Sequence, residues 1–149
     1  MSEINENKPP IWFWVVSVVA LLWNLMGLME FFRQMNMSEE AIAKMSEAAQ
    51  AAQAGYDAAP AAWATAAFAV AVFCGALGCL LLVLRKRLAI RVLNLSLLGV
   101  IIQQIHWWGF LKIGSSFGAG QLVMPVLIPI ISILLIIFAR FSAAKNWLK

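Results

Sequence analysis

The sequence predicts an all-α membrane protein: a four-helix transmembrane bundle with a short amphipathic extracytoplasmic helix between spans one and two. Three observations carry that prediction. The chain of 149 residues is 63% hydrophobic and only 12% charged, about half the charged fraction of an ordinary soluble domain. Its apolar residues gather into four runs near the roughly 20 residues a helix needs to cross hydrocarbon. The basic residues stand between and after those runs, where membrane orientation is encoded. They do not form the aromatic-interleaved patch that would suit nucleic acid, so none is expected as a partner.

The first run, Ile11 to Phe32, follows Pro9-Pro10, a pair suited to a helix start. It is too long for a signal-peptide core and lacks a basic leader and a small-residue cleavage site. The second, Ala61 to Leu84, follows Pro60 and stops at Arg85-Lys86-Arg87. The third, Leu88 to Leu111, is the most polar, with Arg91, Asn94, Gln103, Gln104 and His106 in its body. The fourth, Leu122 to Ala139, begins after the glycine-rich turn GSSFGAGQ. Together they make one membrane domain over residues 1–149.

Between the first two runs lies the one sizeable polar segment. Ser38 is placed to cap a helix whose first turn holds Glu39 and Glu40, charges that suit the positive end of the dipole. Ile42, Met45, Ala49 and Ala52 recur at helical spacing. Gly55 is the expected stop. The spacing predicts a single helix over about 38–54, lying on the membrane surface or on the bundle.

With four spans, both termini and the loop between spans two and three share a side. That side holds Lys8, Arg85, Lys86, Arg87, Arg91, Arg140, Lys145 and Lys149; the other holds Arg33, Lys44 and Lys112. The positive-inside rule makes the termini cytoplasmic, N-in and C-in. Tryptophans agree: Trp12, Trp14 and Trp147 fall at the inner interface, and Trp63, Trp107 and Trp108 at the outer one. Arg91 is read as a snorkelling anchor.

In lipid no hydrophobic force draws helices together, so small and polar residues mark the faces that pack. Such stripes occur on every span. Span one offers Ser17, Ala20, Asn24 and Gly27; span two offers Ala67, Ala71, Gly75, Gly78 and Cys79. Span three offers Ser96, Gly99, Gln103 and His106; span four offers Pro125, Pro129 and Ser132, with the prolines expected to bend the helix. Asn24 lies about 12 Å below the outer end of its span at ~1.5 Å per residue, and Gln103 is level with it. An interhelical amide hydrogen bond between the two is the simplest expectation.

Glu30 is shallower, three residues before Arg33 and near the height of His106. A Glu30–Arg33 pair at the interface is the plain reading. The sharper one groups Asn24, Glu30, Gln103 and His106 around an outward-facing polar cavity, because polar groups inside spans often mark ion or substrate pathways. His106 is the chain's single histidine, and it would make such a site pH-sensitive.

Other chemistries find little support. Gly75 and Gly78 lie within a span, and GSSFGAGQ lacks the strand and lysine of a phosphate loop. One histidine does not make a zinc site, and a bis-histidine haem would need His106 of a second copy. Ser115 and Ser116 near His106 are weak evidence for a hydrolytic triad. Cys74 and Cys79 are five apart within one apolar run and suit packing. No cofactor, metal or enzymatic activity is expected.

The stretch LLWNLMGLMEFF, the order YDAAPAAWATAAFAVAVFCGALGCLLLVLRKR over residues 56–87, and the acidic alanine-rich segment between them resemble a family of small bacterial four-span inner-membrane proteins. Its members often carry the label "sugar transporter". The resemblance covers roughly the first 110 residues and is most specific at Trp23-Asn24, Pro60 and Trp63. It implies a bacterial inner membrane and four spans, and brings no catalytic or binding residues with it. Four spans are too few for alternating access between two repeats unless the chain oligomerises.

Two functions are open on this reading. One is a structural or interaction subunit, with the bilayer and a second copy or another membrane protein as partners. The other is an oligomeric small-solute or ion transporter or channel using the polar set in the outer half.

Overall fold

The computed structural model describes residues 7–58, 61–110, 112 and 118–149. Six α-helices account for most of them: α1 (Ile11–Met35), α2 (Glu39–Ala43), α3 (Glu47–Ala58), α4 (Ala62–Val83), α5 (Leu88–Ile105) and α6 (Val123–Ala144). A π turn, His106–Phe110, extends α5, and a 3₁₀ turn, Ala119–Leu122, leads into α6. No strand occurs among the described residues. Four helices are long and apolar enough to cross a membrane: α1, α4, α5 with its π turn, and α6. Pro60, Leu111, Ser115 and Ser116 lie outside the described residues.

Small residues decide how α4 and α5 meet. A Cβ at Gly99 would stand 2.7 Å from the Ala67 carbonyl oxygen and 2.8 Å from the Ala71 nitrogen. The two backbones therefore pass at a distance only glycine permits. Ser96 locks the crossing by donating its hydroxyl to the Ala71 carbonyl at 2.6 Å. Lower down, Gly78 leaves room for the Leu93 side chain, whose Cδ2 would lie 2.6 Å from an added Cβ. Helix α1 packs on the other side of α4 and α6 on the other side of α5. Ser17, Ala20, Ala71, Gly75, Gly78, Ser96 and Gly99 are all buried, and a Cβ added at Gly27 would meet Val72 only at ordinary contact distance.

At the end of the bundle that carries the Arg85–Arg87 loop, aromatic rings join α1 to α6. Phe13 stacks on Phe138 at 5.6 Å, and Trp12 meets Trp147 edge-on at 5.3 Å. Both loop and tail turn through a left-handed residue, Arg85 at φ 59° and Asn146 at φ 57°. In each, the bonds of a Schellman stop close the helix: Arg85 N–H to Leu82 and Lys86 N–H to Leu81, then Asn146 N–H to Ala143 and Trp147 N–H to Ser142. The two stops then pair. Arg87 N–H donates to the Lys149 carbonyl at 2.8 Å, and Lys149 N–H to the Arg85 carbonyl at 2.5 Å. Arg85 Nε donates to the Trp147 carbonyl at 2.8 Å. Trp147, expected as an interface anchor, is instead core: it and Leu148 are buried with Phe13, Leu82 and Ala139.

Three boundaries differ from those expected. The segment between the first two spans is two helices rather than one over 38–54. Ser38 does cap α2, accepting from Ala41 N–H at 3.3 Å. Ser46 then offers the same bond to Ala49 N–H, starting a new helix, while Gln50 Nε2 satisfies the Ala43 and Met45 carbonyls left over at the break. Gly55 does not stop α3, which runs to Ala58, with Gln53 bonded to Asp57 one turn on. The fourth span continues past Ala139 to Ala144, because Ala139 and Ser142 keep a small face against the core.

Candidate functional site

Helix α5 supplies most of the polar groups inside the bundle, and α6 explains why one of them is there. Pro129 has no N–H to give the Pro125 carbonyl one turn before it. Gln104 fills that gap by donating Nε2 to the Pro125 carbonyl oxygen, tying α5 to α6. With its nitrogen engaged, Gln104 Oε1 is buried with no hydrogen-bond partner among the described residues. The same holds for Gln103 Oε1 and for the indole nitrogen of Trp107, one turn further along. Gln103 as a whole is only 8% exposed. A lone acceptor or donor buried in this way costs about 1–3 kcal/mol, and natural structures hold few of them.

Gln103, Gln104 and Trp107 are among the residues lining a cavity of about 430 Å³ framed by α1, α4, α5 and α6 in the half of the bundle away from the Arg85–Arg87 loop, although the three atoms just named are turned away from it. Its size falls within the ~300–1,000 Å³ typical of small-molecule sites. Helix α1 contributes Trp23, Asn24, Gly27 and Glu30; α4 contributes Phe68 and Val72; α6 contributes Ile128, Ile131 and Ser132. The floor is solid. Phe13, Ala20, Cys79, Leu82, Leu135 and Ala139 form one packed cluster beneath it. Arg91 and Asn94, toward the Arg85–Arg87 end of α5, are exposed, and Asn94 bonds back to its own helix at Ile90.

No protein-family model, curated protein or solved structure matches this chain. Asn24, Glu30 and Gln103 all face the cavity, but the expected Asn24–Gln103 hydrogen bond is absent. Asn24 Nδ2 donates instead to the Ala20 carbonyl at 2.9 Å and to Cys79 Sγ at 3.3 Å. The reason is helix order. Equal depth made the two amides level, but α1 borders α4, and Gly75 on α4 leaves the space the Asn24 amide occupies.

Glu30 forms the pair its spacing suggested. Arg33 clamps both carboxylate oxygens, at 2.7 and 2.5 Å, and Gln34 Nε2 adds a third donor at 3.0 Å. The carboxylate at the cavity rim is thus neutralised by its own helix. His106 sits apart from the cavity: its ring packs edge-on to Trp63 at 5.4 Å and stacks on Phe110 at 6.1 Å, toward α4. Three residues on from Gln103, it has turned away from the cavity wall. Gln104 and Trp107 were the residues missed. The Pro125–Pro129 spacing was the available signal, since it strands one carbonyl that a glutamine at matching depth can satisfy.

Among the described residues no group of three or more His, Cys, Asp or Glu is placed to hold a metal ion. The lining mixes polar side chains on three helices, Asn24, Glu30 and Gln34, Ser96, Gln103 and Gln104, and Ser132, with aliphatic, aromatic and thioether ones.

Proposed function

We propose that this chain is a binding protein of the bacterial inner membrane, N-in and C-in, which holds a small molecule in the outer half of its bundle. The observation that carries the reading is the 430 Å³ cavity itself, lined by the polar side chains of Asn24, Ser96, Gln103, Gln104 and Ser132 among apolar ones. The packed floor argues for binding rather than continuous conduction, because a pore needs a polar path through both leaflets. The aliphatic residues exposed along α1 and α6 are what lipid contact requires, so they do not call for a protein partner. The family resemblance supports the membrane assignment and leaves the ligand open.

The test uses protein extracted directly from membranes into polymer-bounded lipid discs. Native mass spectrometry is expected to find a bound species in wild type that is lost from Ile131→Trp, which fills the cavity. Identical adduct patterns in both would overturn the binding reading. Planar-bilayer recording is expected to show no conductance above protein-free membranes; steady currents would favour a channel.

A further inference from the structure

The cavity has the proportions of a slot. On α1 its lining runs from Trp23 to Gln34, on α5 from Ser96 to Trp107 and on α6 from Met124 to Leu135, eleven residues in each case. At ~1.5 Å per residue each wall is about 16 Å long, close to the ~15 Å of hydrocarbon in one leaflet of a ~30 Å bilayer core. Spread over that length, 430 Å³ makes a slot about 5–6 Å across, room for one hydrocarbon chain at a contact spacing of ~4 Å and not for two.

The slot opens sideways. Helix α1 lies on α4 and α6 on α5, while α1 and α6 meet through the rings at the end that carries the Arg85–Arg87 loop. Beyond those rings, Met26 of α1 and Met124 of α6 both line the cavity and are 58% and 53% exposed. The cavity therefore reaches the surface between the two helices, within the spans, where that surface faces acyl chains. Its walls ask little of an occupant. Hydrogen bonds within the protein hold the side chains of Asn24, Ser96, Gln104 and Ser132, and the Gln103 carbonyl oxygen is sealed away from the space. At the rim, half-exposed Arg33 gives two of its N–H groups to Glu30. A guanidinium carries five, so three remain to meet a phosphate outside the slot.

We infer that the slot holds one acyl chain of a phospholipid from the leaflet on that side, which enters between α1 and α6 and rests its end near Trp23 and Leu135, with the phosphate at Arg33. This rests on the binding reading above and adds the ligand's chemical class. The chain lies along the helices for the depth of one leaflet, and the headgroup stays at the rim, so no charge has to be buried.

The experiment is photocrosslinking in phosphatidylcholine nanodiscs doped with phosphatidylcholine that carries a diazirine at the end of one acyl chain, with labelled residues mapped by mass spectrometry. The probe is expected to label the slot floor around Trp23 and Leu135 in wild type. Ile131→Trp, which fills the slot, is expected to abolish that labelling, while Leu25 and Leu134, exposed on α1 and α6, label as before. Gly27→Leu, at a lining position where an added Cβ meets only Val72 at 3.6 Å, gives a second reading should the first variant fail to fold. Floor labelling equal in wild type and the folded variants would mean ordinary annular lipid and overturn the inference. Absent floor labelling, with a compact non-lipid adduct still found by native mass spectrometry, would overturn the lipid and leave the binding reading standing. Absent labelling and no adduct would overturn both.

Discussion

Replacing Gly99 with alanine tests the tightest contact in the bundle. The added Cβ would lie 2.7 Å from Ala67 O, 2.8 Å from Ala71 N and 3.1 Å from Ala71 Cα. All three atoms are α4 backbone, so none can rotate aside. Even a favourable C–H···O contact needs roughly 3.3 Å between carbon and oxygen. The helices must then part by about 0.6 Å, which forfeits roughly a quarter to a half of the dispersion well for atom pairs across the seam. Ser96 would also see its 2.6 Å bond to Ala71 stretched to about 3.2 Å, weakening a term worth about 0.6 kcal/mol on average in membranes. Overpacking of this kind costs about 1–3 kcal/mol. Gly27→Ala is the control: its Cβ meets only Val72 Cγ1, at 3.6 Å, and it shares the same gain in helix propensity, so that term cancels. Unfolding by dodecyl sulfate in maltoside micelles, followed by circular dichroism, should place Gly99→Ala about 1–3 kcal/mol below Gly27→Ala. A difference under about 0.5 kcal/mol would refute the close-crossing argument.

Gly75→Ala should be strongly destabilising because its Cβ overlaps the Asn24 amide and approaches Ser96 Oγ to 3.1 Å. Adding Asn24→Ala should recover part of that loss, with a coupling of about 1 kcal/mol in a double-mutant cycle; additive effects would show that Asn24 does not occupy that space. Trp147→Ala should cost about 3 kcal/mol, since the ring is buried against Trp12, Phe13 and Phe141; an unchanged unfolding transition would exclude the aromatic clasp. For topology, Glu47→Cys in a background without native cysteines should react with an impermeant maleimide in intact spheroplasts. Lys86→Cys should react only after permeabilisation, and the reverse pattern would invert the orientation.

Hydropathy and length were enough to locate the four spans, because a crossing helix must be apolar over most of its surface. The small-residue stripes of α4 and α5 were equally legible: Ala71, Gly75, Ser96 and Gly99 face inward because only small groups allow that approach. What the sequence withheld was neighbour order. Depth along a helix follows from counting residues, but Asn24 needed to know that α1 lies against α4, and that depends on packing of the whole bundle. The break between Ala43 and Glu47 was hidden for another reason: Ser46 caps α3 within an alanine-rich stretch whose propensity is helical throughout. Arg85 and Arg87 read as an orientation signal, and nothing local announced that they also bond the backbone carbonyls of Trp147 and Leu148.

The spans are unequally held. In their most apolar windows α4 and α5 are 39% and 33% buried, whereas α1 and α6 are each 17% buried. The central pair is a stiff spine, and the outer pair behaves as two leaves pinned at one end by rings and by the paired Schellman stops. Opening free energies within one protein range from near zero to the global value according to such differences in packing. Separation of the leaves at their unpinned ends changes the volume between them while the Gly99–Ala67 crossing stays shut. On the binding function proposed above, filling the cavity is expected to slow amide exchange in the halves of α1 and α6 away from the Arg85–Arg87 loop and to leave the spine as it was.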